Sequence, residues 1–311
     1  MKRDKQFQPL CLPRRLPSHN QGKFMTNRSW KVFSTRYFSC FLTVAFACSA
    51  LICGAAQTGR ASRTGKNAAD NFAPNDKSLT TIFAYANFSD LTGLTLNGNA
   101  EQAGLSLLVG PPLFNQVGSV FYNNRVNVGQ GFKSVFTLQI VPSATSSTTA
   151  DGMSFIIQNS SLNALGTQTG QPGYYGIPDS IAVEFDTFYN PQISDPNNNH
   201  IGIQSCGTLP NTYDHASSCD LGLQPDLPVT LADGLTHQVM VSYIPDASGA
   251  GPFTVVVDKT VVLTRMLNLS RLLALNGNDA WVGFTAGSGG DWESGTVRNW
   301  TFASVGTAAA K

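Results

Sequence analysis

Residues 181–204 carry the sequence IAVEFDTFYNPQISDPNNNHIGIQ, which joins a strand pattern to a polar loop. The strand pattern has a period of two, which places four residues on one face: Glu184, Asp186, Phe188 and Asn190. Two neighbouring carboxylates on such a face repel each other and destabilise the strand unless a positive charge lies between them. The stretch therefore predicts a β-strand with a cation site at its end.

The loop after this strand supplies two further metal-binding groups, Asp195 and His200. Oxygen ligands suit a hard ion such as Ca²⁺, and an imidazole added to carboxylates suits Mn²⁺ or another transition ion. Two adjacent sites that share Asp186 and Asp195 would use all of these groups. The alternative interpretation is an exposed, solvated strand face.

The rest of the chain also shows strand patterns. Residues 132–141 alternate, with Phe132, Phe136, Leu138 and Ile140 on one side. Asp258-Lys259 separates two short apolar runs as in a hairpin, and only residues 269–275 offer a helical turn. Further strands are expected at residues 237–244, 280–286 and 297–302. Many short strands between Gly, Asn and Pro turns predict an all-β fold, an antiparallel jelly-roll β-sandwich.

Composition separates the first 56 residues from the rest of the 311-residue chain. They hold 9 of the 20 Lys and Arg but only 1 of the 19 Asp and Glu, which leaves 11 basic and 18 acidic residues elsewhere. A body this acidic is a poor binder of phosphate backbones, so no nucleic acid is expected as a partner. Because 42% of the chain is hydrophobic, disorder of the whole chain is excluded.

A charge-free stretch at residues 38–56, FSCFLTVAFACSALICGAA, follows a basic cluster and ends in small residues. This order is typical of a secretory signal peptide with cleavage after Ala56, although the stretch is also long enough for a retained membrane anchor. Met25 is an alternative start. We expect a secreted, periplasmic or extracellular protein with no membrane contact after cleavage. The predicted segments are residues 1–56 (extension and signal peptide), 57–80 (flexible leader), 81–304 (folded domain) and 305–311 (short tail).

Cys206 and Cys219 are the two cysteines, of six, that lie beyond the signal segment. In an exported protein, two cysteines 13 residues apart most simply form one disulfide. A metal pair is the less favoured alternative, since no second Cys/His pair accompanies them. We expect the enclosed segment to reinforce the fold rather than to lie near the cation site.

The spacing E-x-D-x-F-x-N-x4-D-x4-H, followed by IGI, resembles the metal loop of the L-type (legume-type) lectins. The resemblance implies a Mn²⁺ site made by Glu184, Asp186, Asp195 and His200. It also implies a Ca²⁺ site made by Asp186, the Phe188 carbonyl, Asn190 and Asp195. Metal loss is then expected to abolish sugar binding.

Other segments resemble the same family in the same order. ADGMSF resembles its ADG loop, which implies that Asp151 follows a cis peptide bond and accepts hydrogen bonds from sugar hydroxyls. GYYGI resembles a loop whose first glycine, here Gly173, donates its backbone N–H to the sugar. The resemblance covers about residues 81–304 and includes WVGFTAGSGG at residues 281–290 and VRNWTF at residues 297–302.

This resemblance implies a concanavalin A-like lectin that binds glycans without catalysis. The Asn190 amide would donate to the sugar, and Phe188 would stack on the apolar face of its ring. The variable loop after Ala286 supplies three more expected contacts: Gly290, Asp291 and Trp292. Family members commonly pair through a back sheet, so a homo-oligomer is a further candidate partner. We expect a secreted, bacterial-type member of this family.

Two other functions are compatible with a jelly roll. Laminarinase-like glycoside hydrolases carry E-x-D-x-x-E, whose two glutamates act as nucleophile and acid/base. Here Tyr189 stands where the second glutamate is needed, five residues after Glu184, so one required carboxyl group is missing. The other alternative is an adhesion or structural sandwich without sugar binding, against which the intact metal loop argues. We therefore expect no enzymatic activity.

Overall fold

The computed structural model describes residues 79–167 and 170–305, and in these ranges the chain forms two antiparallel β-sheets. The predicted signal peptide, nearly all of the leader and the tail beyond residue 305 lie outside the described residues. Within the described ranges, no helix has the length and apolar character needed to cross a membrane.

The first sheet, which we call the back sheet, contains β1 (Leu79–Tyr85), β3 (Glu101–Ala103), β4 (Ser106–Gly110), β7 (Phe132–Pro142), β12 (Thr236–Tyr243), β13 (Gly251–Val257), β14 (Thr260–Leu267) and β16 (Glu293–Val305). Its strand order is β14-β13-β12-β7-β16-β4-β3, and β1 also pairs with β16. The long crossovers between sheets, together with the antiparallel pairing, confirm the expected jelly-roll β-sandwich.

The second sheet, the front sheet, contains β2 (Leu94–Gly98), β5 (Val117–Tyr122), β6 (Val126–Asn127), β8 (Gly152–Gln158), β9 (Ser180–Asp186), β10 (His200–Gln204), β11 (Asp220–Gln224) and β15 (Asp279–Gly287). Its order is β11-β10-β9-β8-β15-β5-β2, and β6 also pairs with β15. The helical elements found among residues 79–167 and 170–305 are short: α1 (Leu269–Leu272) and a 3₁₀ turn at Pro191–Ile193.

Alternation along β7 builds the core between the sheets, as the sequence predicts. Every second residue from Phe132 to Ile140 is buried. The ring of Phe136 packs against Phe155 and Phe284 of the front sheet, at centroid distances of 5.8 and 4.9 Å. These contacts join the two sheets because a period of two directs one face of each strand inward.

Strand β9 is buried on both faces. Ile181, Val183 and Phe185 belong to the main core, whereas Ala182 belongs to a second apolar cluster on the outer face. The outer face is buried because the segment that contains Tyr174 covers it. Carboxylates at the even-numbered positions of β9 are therefore forced into the interior of the protein.

Three local predictions are also confirmed. Asp258 and Lys259 adopt positive φ angles of 46° and 72°, as a tight hairpin between β13 and β14 requires. The expected helical turn is α1, which Asn268 caps by accepting a hydrogen bond from the Arg271 N–H. Cys206 and Cys219 form a disulfide.

His237 lies in β12 of the back sheet, where two carboxylates hold its ring. Its Nδ1 is 2.7 Å from Asp258 Oδ2, and its Nε2 is 3.2 Å from Asp233 Oδ1. Burial of the ring opposes protonation, but the hydrogen bonds to Asp258 and Asp233 outweigh burial and raise the pKa of His237.

Because the raised pKa belongs to the folded state, protonated His237 stabilises the fold fully below about pH 6.5, and this stabilisation is lost as the pH rises through the folded pKa. We expect the free energy of unfolding of the wild type to fall relative to that of His237→Gln above about pH 6.5. Urea unfolding at a fixed Ca²⁺ concentration measures this difference. Parallel pH profiles of the two proteins would contradict the charged interaction.

Candidate metal centre and sugar site

The structure brings the predicted metal ligands together at one end of the front sheet. Glu184 and Asp186 lie on the outer face of β9, and the register with β10 places His200 directly opposite Asp186. The metal-binding atoms of Asp186, Asp195 and His200 all lie within 4.8 Å of one another. Because Asp195 comes from the loop between the two strands, strand pairing and loop closure assemble the cluster jointly.

Backbone hydrogen bonds fix the loop and orient its carboxylates. The Phe188 N–H donates to Asp186 Oδ1 at 2.8 Å, and the Asn190 N–H donates to Asp195 Oδ2 at 2.7 Å. The Nδ1 of His200 lies 2.9 Å from the Asn197 carbonyl oxygen, which can only accept. Neutral His200 therefore carries its hydrogen on Nδ1 and directs the lone pair of Nε2 into the cluster.

Three buried carboxyl groups, those of Glu184, Asp186 and Asp195, lie close together in the cluster. Burial, followed by the charges of Glu184 and Asp195, raises the pKa of Asp186 well above its usual value. Burial likewise raises the pKa of Asp195 to about 7, and its Oδ1 has no hydrogen-bond partner. Carboxylate oxygens and an imidazole nitrogen in such an environment fit a divalent cation, which would relieve the repulsion.

Sequence reasoning missed two residues that contact Glu184. The buried Tyr174 hydroxyl donates to Glu184 Oε2, and His215 Nε2 lies 3.0 Å from Glu184 Oε1. Burial opposes protonation of His215, but hydrogen bonds to Asp220 and Glu184 outweigh it and raise the pKa to about 10. Tyr174 lies in the GYYGI segment, so that motif could have indicated it, whereas no local pattern marks His215.

The position of His215 corrects the expectation that the segment between Cys206 and Cys219 lies away from the cation site. Its backbone N–H donates to the carbonyl of Ile193, at 3.0 Å, which ties this segment to the metal loop. The disulfide segment therefore covers the cluster as well as reinforcing the fold.

Asp151 lies beside the metal cluster, where β8 begins. The Ala150–Asp151 peptide bond is cis, as the resemblance implies. The side chain is 4% exposed, and its Oδ2 has no hydrogen-bond partner. Burial, followed by the charge of Asp291, raises the pKa of Asp151 to about 7. A buried carboxylate with one unpaired oxygen is suited to accept hydrogen bonds from hydroxyl groups.

Gly173 packs on the strand next to Asp151. Its φ angle is 82°, and a Cβ atom added there would lie 2.4 Å from the carbonyl oxygen of Ala286. The following residue, Gly287, accepts a hydrogen bond from the Asp151 N–H at 3.3 Å. The absence of a side chain thus allows the GYYGI loop to approach the Asp151 loop closely.

A cavity of about 450 Å³ adjoins the metal loop, and the half-buried Phe188 ring forms part of its wall. The cavity is lined by Thr148, Thr149, Thr187, Phe188, Tyr189, Pro196, Asn197 and Asn198. Its size lies in the range of small-molecule sites, and an aromatic ring among hydroxyls and amides matches the mixed surface of a sugar.

The three residues predicted from the variable loop have different environments. Gly290 is exposed. Asp291 Oδ1 accepts hydrogen bonds from the N–H groups of Ser147 and Thr148, and hydrogen bonds from this serine-rich loop lower the pKa of Asp291 to about 2. The Trp292 indole donates to Ser143 Oγ at 3.1 Å. Asp291 and Trp292 thus brace the loop at residues 143–148, which borders the cavity.

Comparisons with known proteins agree with this geometry. Residues 84–300 match the family model of the legume lectin β-barrel domain. A mannose/glucose-specific lectin of Centrolobium tomentosum is 26% identical, over 72% of this chain and 95% of that protein. A probable L-type lectin-domain containing receptor kinase of Arabidopsis thaliana, S.7, is also 26% identical, over 72% of this chain. The chain spans about a third of the length of such receptor kinases, 35% in this case.

Among solved structures, a lectin from Bauhinia forficata in complex with GalNAc superposes with a TM-score of 0.54 at 21% identity, covering 73% of this chain and 98% of that one. This likeness shows the shared fold. The relatives named here are plant proteins, so they lend no support to a bacterial type. Because the family model matches well over half of the sequence, this chain belongs to the L-type (legume) lectin family.

Proposed function

We propose that this protein is a secreted, metal-dependent lectin that binds glycans without catalysis. The observation that carries the proposal is the buried Asp151 carboxylate, whose Oδ2 lacks a partner at the edge of the metal cluster. Sugars present neighbouring hydroxyl donors, which would satisfy this oxygen through charge-assisted hydrogen bonds. The names of the relatives, a mannose/glucose-specific lectin and a lectin bound to GalNAc, support a glycan as ligand.

The other predicted contacts would complete the site. The backbone N–H of Gly173 and the side-chain amide of Asn190 would donate to sugar oxygens, while the Phe188 ring would cover an apolar face of the sugar. Gly290, Asp291 and Trp292 would form the variable rim, since the last two brace the adjoining loop. Shallow sites of this type gain avidity when chains pair, which favours a homo-oligomer.

The oxygen and nitrogen atoms available as metal ligands support binding of Ca²⁺ together with Mn²⁺ or another transition ion. Glu184, Asp186, Asp195 and His200 would hold the transition ion, and Asp186, the Phe188 carbonyl, Asn190 and Asp195 would hold Ca²⁺. The ions would supply positive charge that neutralises the buried carboxylates and fixes the loop. Phe188 and Asn190 lie in this loop, so its order determines their position at the sugar.

The surroundings of Glu184 support binding rather than hydrolysis. This carboxylate is 1% exposed, and Tyr174 occupies its Oε2. A retaining hydrolase needs two carboxyl groups that reach the sugar, but the second position is the half-exposed Tyr189. The Cys206–Cys219 disulfide supports the proposed export, because disulfides persist in oxidising compartments.

We expect Asp151→Asn to weaken binding of mannose or galactose, whichever the wild type binds, by about 100-fold or more, because two charge-assisted hydrogen bonds are lost. Titration calorimetry with Ca²⁺ and Mn²⁺ present measures the affinity. Asp90→Asn is the matched control: Asp90 is exposed, and an Asn at this position keeps its acceptor for the Thr92 N–H. Wild-type affinity in the Asp151 variant would contradict the site.

We expect Asp186→Asn to raise the melting temperature of the chelated protein but to abolish the stabilisation that Ca²⁺ and Mn²⁺ give the wild type. Without metal, the substitution replaces a buried carboxyl group whose charged form is disfavoured by burial and by its neighbours; with metal, it removes a shared ligand. Differential scanning calorimetry with and without chelator measures both effects. If the metals stabilise the wild type and the variant equally, Asp186 is not a ligand.

A further inference from the structure

His215 reaches the metal cluster from an unexpected direction, the disulfide segment between β10 and β11. Its side chain is 2% exposed. Its Nε2 lies 3.0 Å from Glu184 Oε1, 3.1 Å from His200 Nε2 and 3.7 Å from Asp195 Oδ1. Three atoms that could bind a metal therefore surround one ring nitrogen, close enough for a single ion to contact them together.

The hydrogen bonds of the two Nδ1 atoms determine where the Nε2 lone pairs of His215 and His200 point. Asp220 Oδ2 lies 3.2 Å from His215 Nδ1, and as a carboxylate oxygen it accepts a hydrogen from that nitrogen. His200 Nδ1 likewise donates to the Asn197 carbonyl. In their neutral forms, both rings then direct the lone pair of Nε2 at the same point, close to a carboxylate oxygen. Such an arrangement is repulsive until a cation or a proton occupies it.

The surroundings of His215 resemble those of metal-binding histidines in general. A ligating imidazole almost always donates its other N–H to a carboxylate or carbonyl, which fixes the ring, and Asp220 is placed for this positioning role. The Gln204 amide also adjoins Nδ1, with its Nε2 at 2.9 Å, while its Oε1 has no partner. Rotating this amide by 180° would let Oε1 accept from Nδ1 as well.

The close approach of Glu184 and His215 depends on Gly202. This residue pairs with Glu184 across β9 and β10. A Cβ atom at Gly202 would lie 2.1 Å from Glu184 Oε1 and 2.9 Å from His215 Cε1. The absence of a side chain therefore allows the carboxylate and the imidazole to approach each other over the backbone of Gly202.

We propose that His215 is an additional ligand of the transition ion, which it binds together with Glu184 and His200. This inference rests on the metal site of the proposed function. A second imidazole changes the selectivity of the site, because nitrogen ligands favour Zn²⁺ or Co²⁺ over Mn²⁺, whereas carboxylates and water suit Mn²⁺. The disulfide segment thus makes the site selective for a nitrogen-preferring ion. The competing role for His215 is an imidazolium that pairs with Glu184 and takes the place of an ion.

The test is a Zn²⁺ titration of the chelated, ¹⁵N-labelled full chain, followed by long-range ¹H–¹⁵N correlation of the imidazoles. The chain has only four histidines, His19, His200, His215 and His237, so single His→Gln variants assign every signal. We expect Zn²⁺ to move the Nε2 signals of both His200 and His215 to the positions of metal-bound nitrogen. His237 is the internal control, because both of its nitrogens face carboxylates on the back sheet.

The outcomes separate the two proposals. If His200 alone binds Zn²⁺ and His215 keeps the signals of an imidazolium, the additional ligand is overturned while the metal site stands. If neither His200 nor His215 responds, the metal dependence in the proposed function fails as well. Both results are read from the spectrum of the wild-type protein, and the His→Gln variants serve only to assign its signals.

Affinity measurements provide a second readout. We expect His215→Gln to weaken Zn²⁺ binding by about 100-fold and to lower the preference for Zn²⁺ over Mn²⁺ by about tenfold or more. Asp220→Asn, which alters the group that positions His215 but leaves an acceptor for the Gly222 N–H, is expected to weaken Zn²⁺ binding by about tenfold. His237→Gln is the matched histidine control. An unchanged Zn²⁺ to Mn²⁺ preference in His215→Gln would overturn the proposal.

Discussion

Repulsion among buried carboxylates at the end of β9 is the constraint on which the rest of the site depends. Glu184, Asp186 and Asp195 are each at most 6% exposed, and burial, followed by the charges of Glu184 and Asp195, raises the pKa of Asp186 well above its usual value. Burial also raises the pKa of Glu293, beneath the Asp151 loop, to about 8. A sheet that encloses so many carboxyl groups is consistent with a protein whose folded state is completed by cations.

The sandwich makes this concentration of charge tolerable. One face of β9 is anchored in the main core through Val183 and Phe185, and pairing with β8 and β10 fixes its register. The same register aligns Asp186 with His200 on one side and with Gly152, the neighbour of Asp151, on the other. Metal ligands and the proposed sugar acceptor are therefore linked through the backbone of three adjacent strands.

Local sequence patterns were sufficient to predict several of the strands, such as β7, β9 and β12, and the hairpin at Asp258-Lys259. These features depend on periodicity and turn chemistry within a few residues. The contact of His215 with Glu184 depends instead on the path of a loop that returns over the sheet, which no short window records. Similarly, an aspartate in a variable loop is as compatible with a ligand contact as with a brace, and only the fold shows that Asp291 braces the serine-rich loop.

The alternation along β9 also restricts how this chain can change length during evolution. Inserting one residue between Ile181 and Asp186 would turn every later side chain of the strand to the opposite face, exchanging core residues with ligands. An insertion of two residues would restore the faces but move Asp186 out of line with His200. This strand can therefore diverge by substitution alone, whereas length variation can accumulate at exposed tips such as Gly290, where recognition can change without disturbing the ligand geometry.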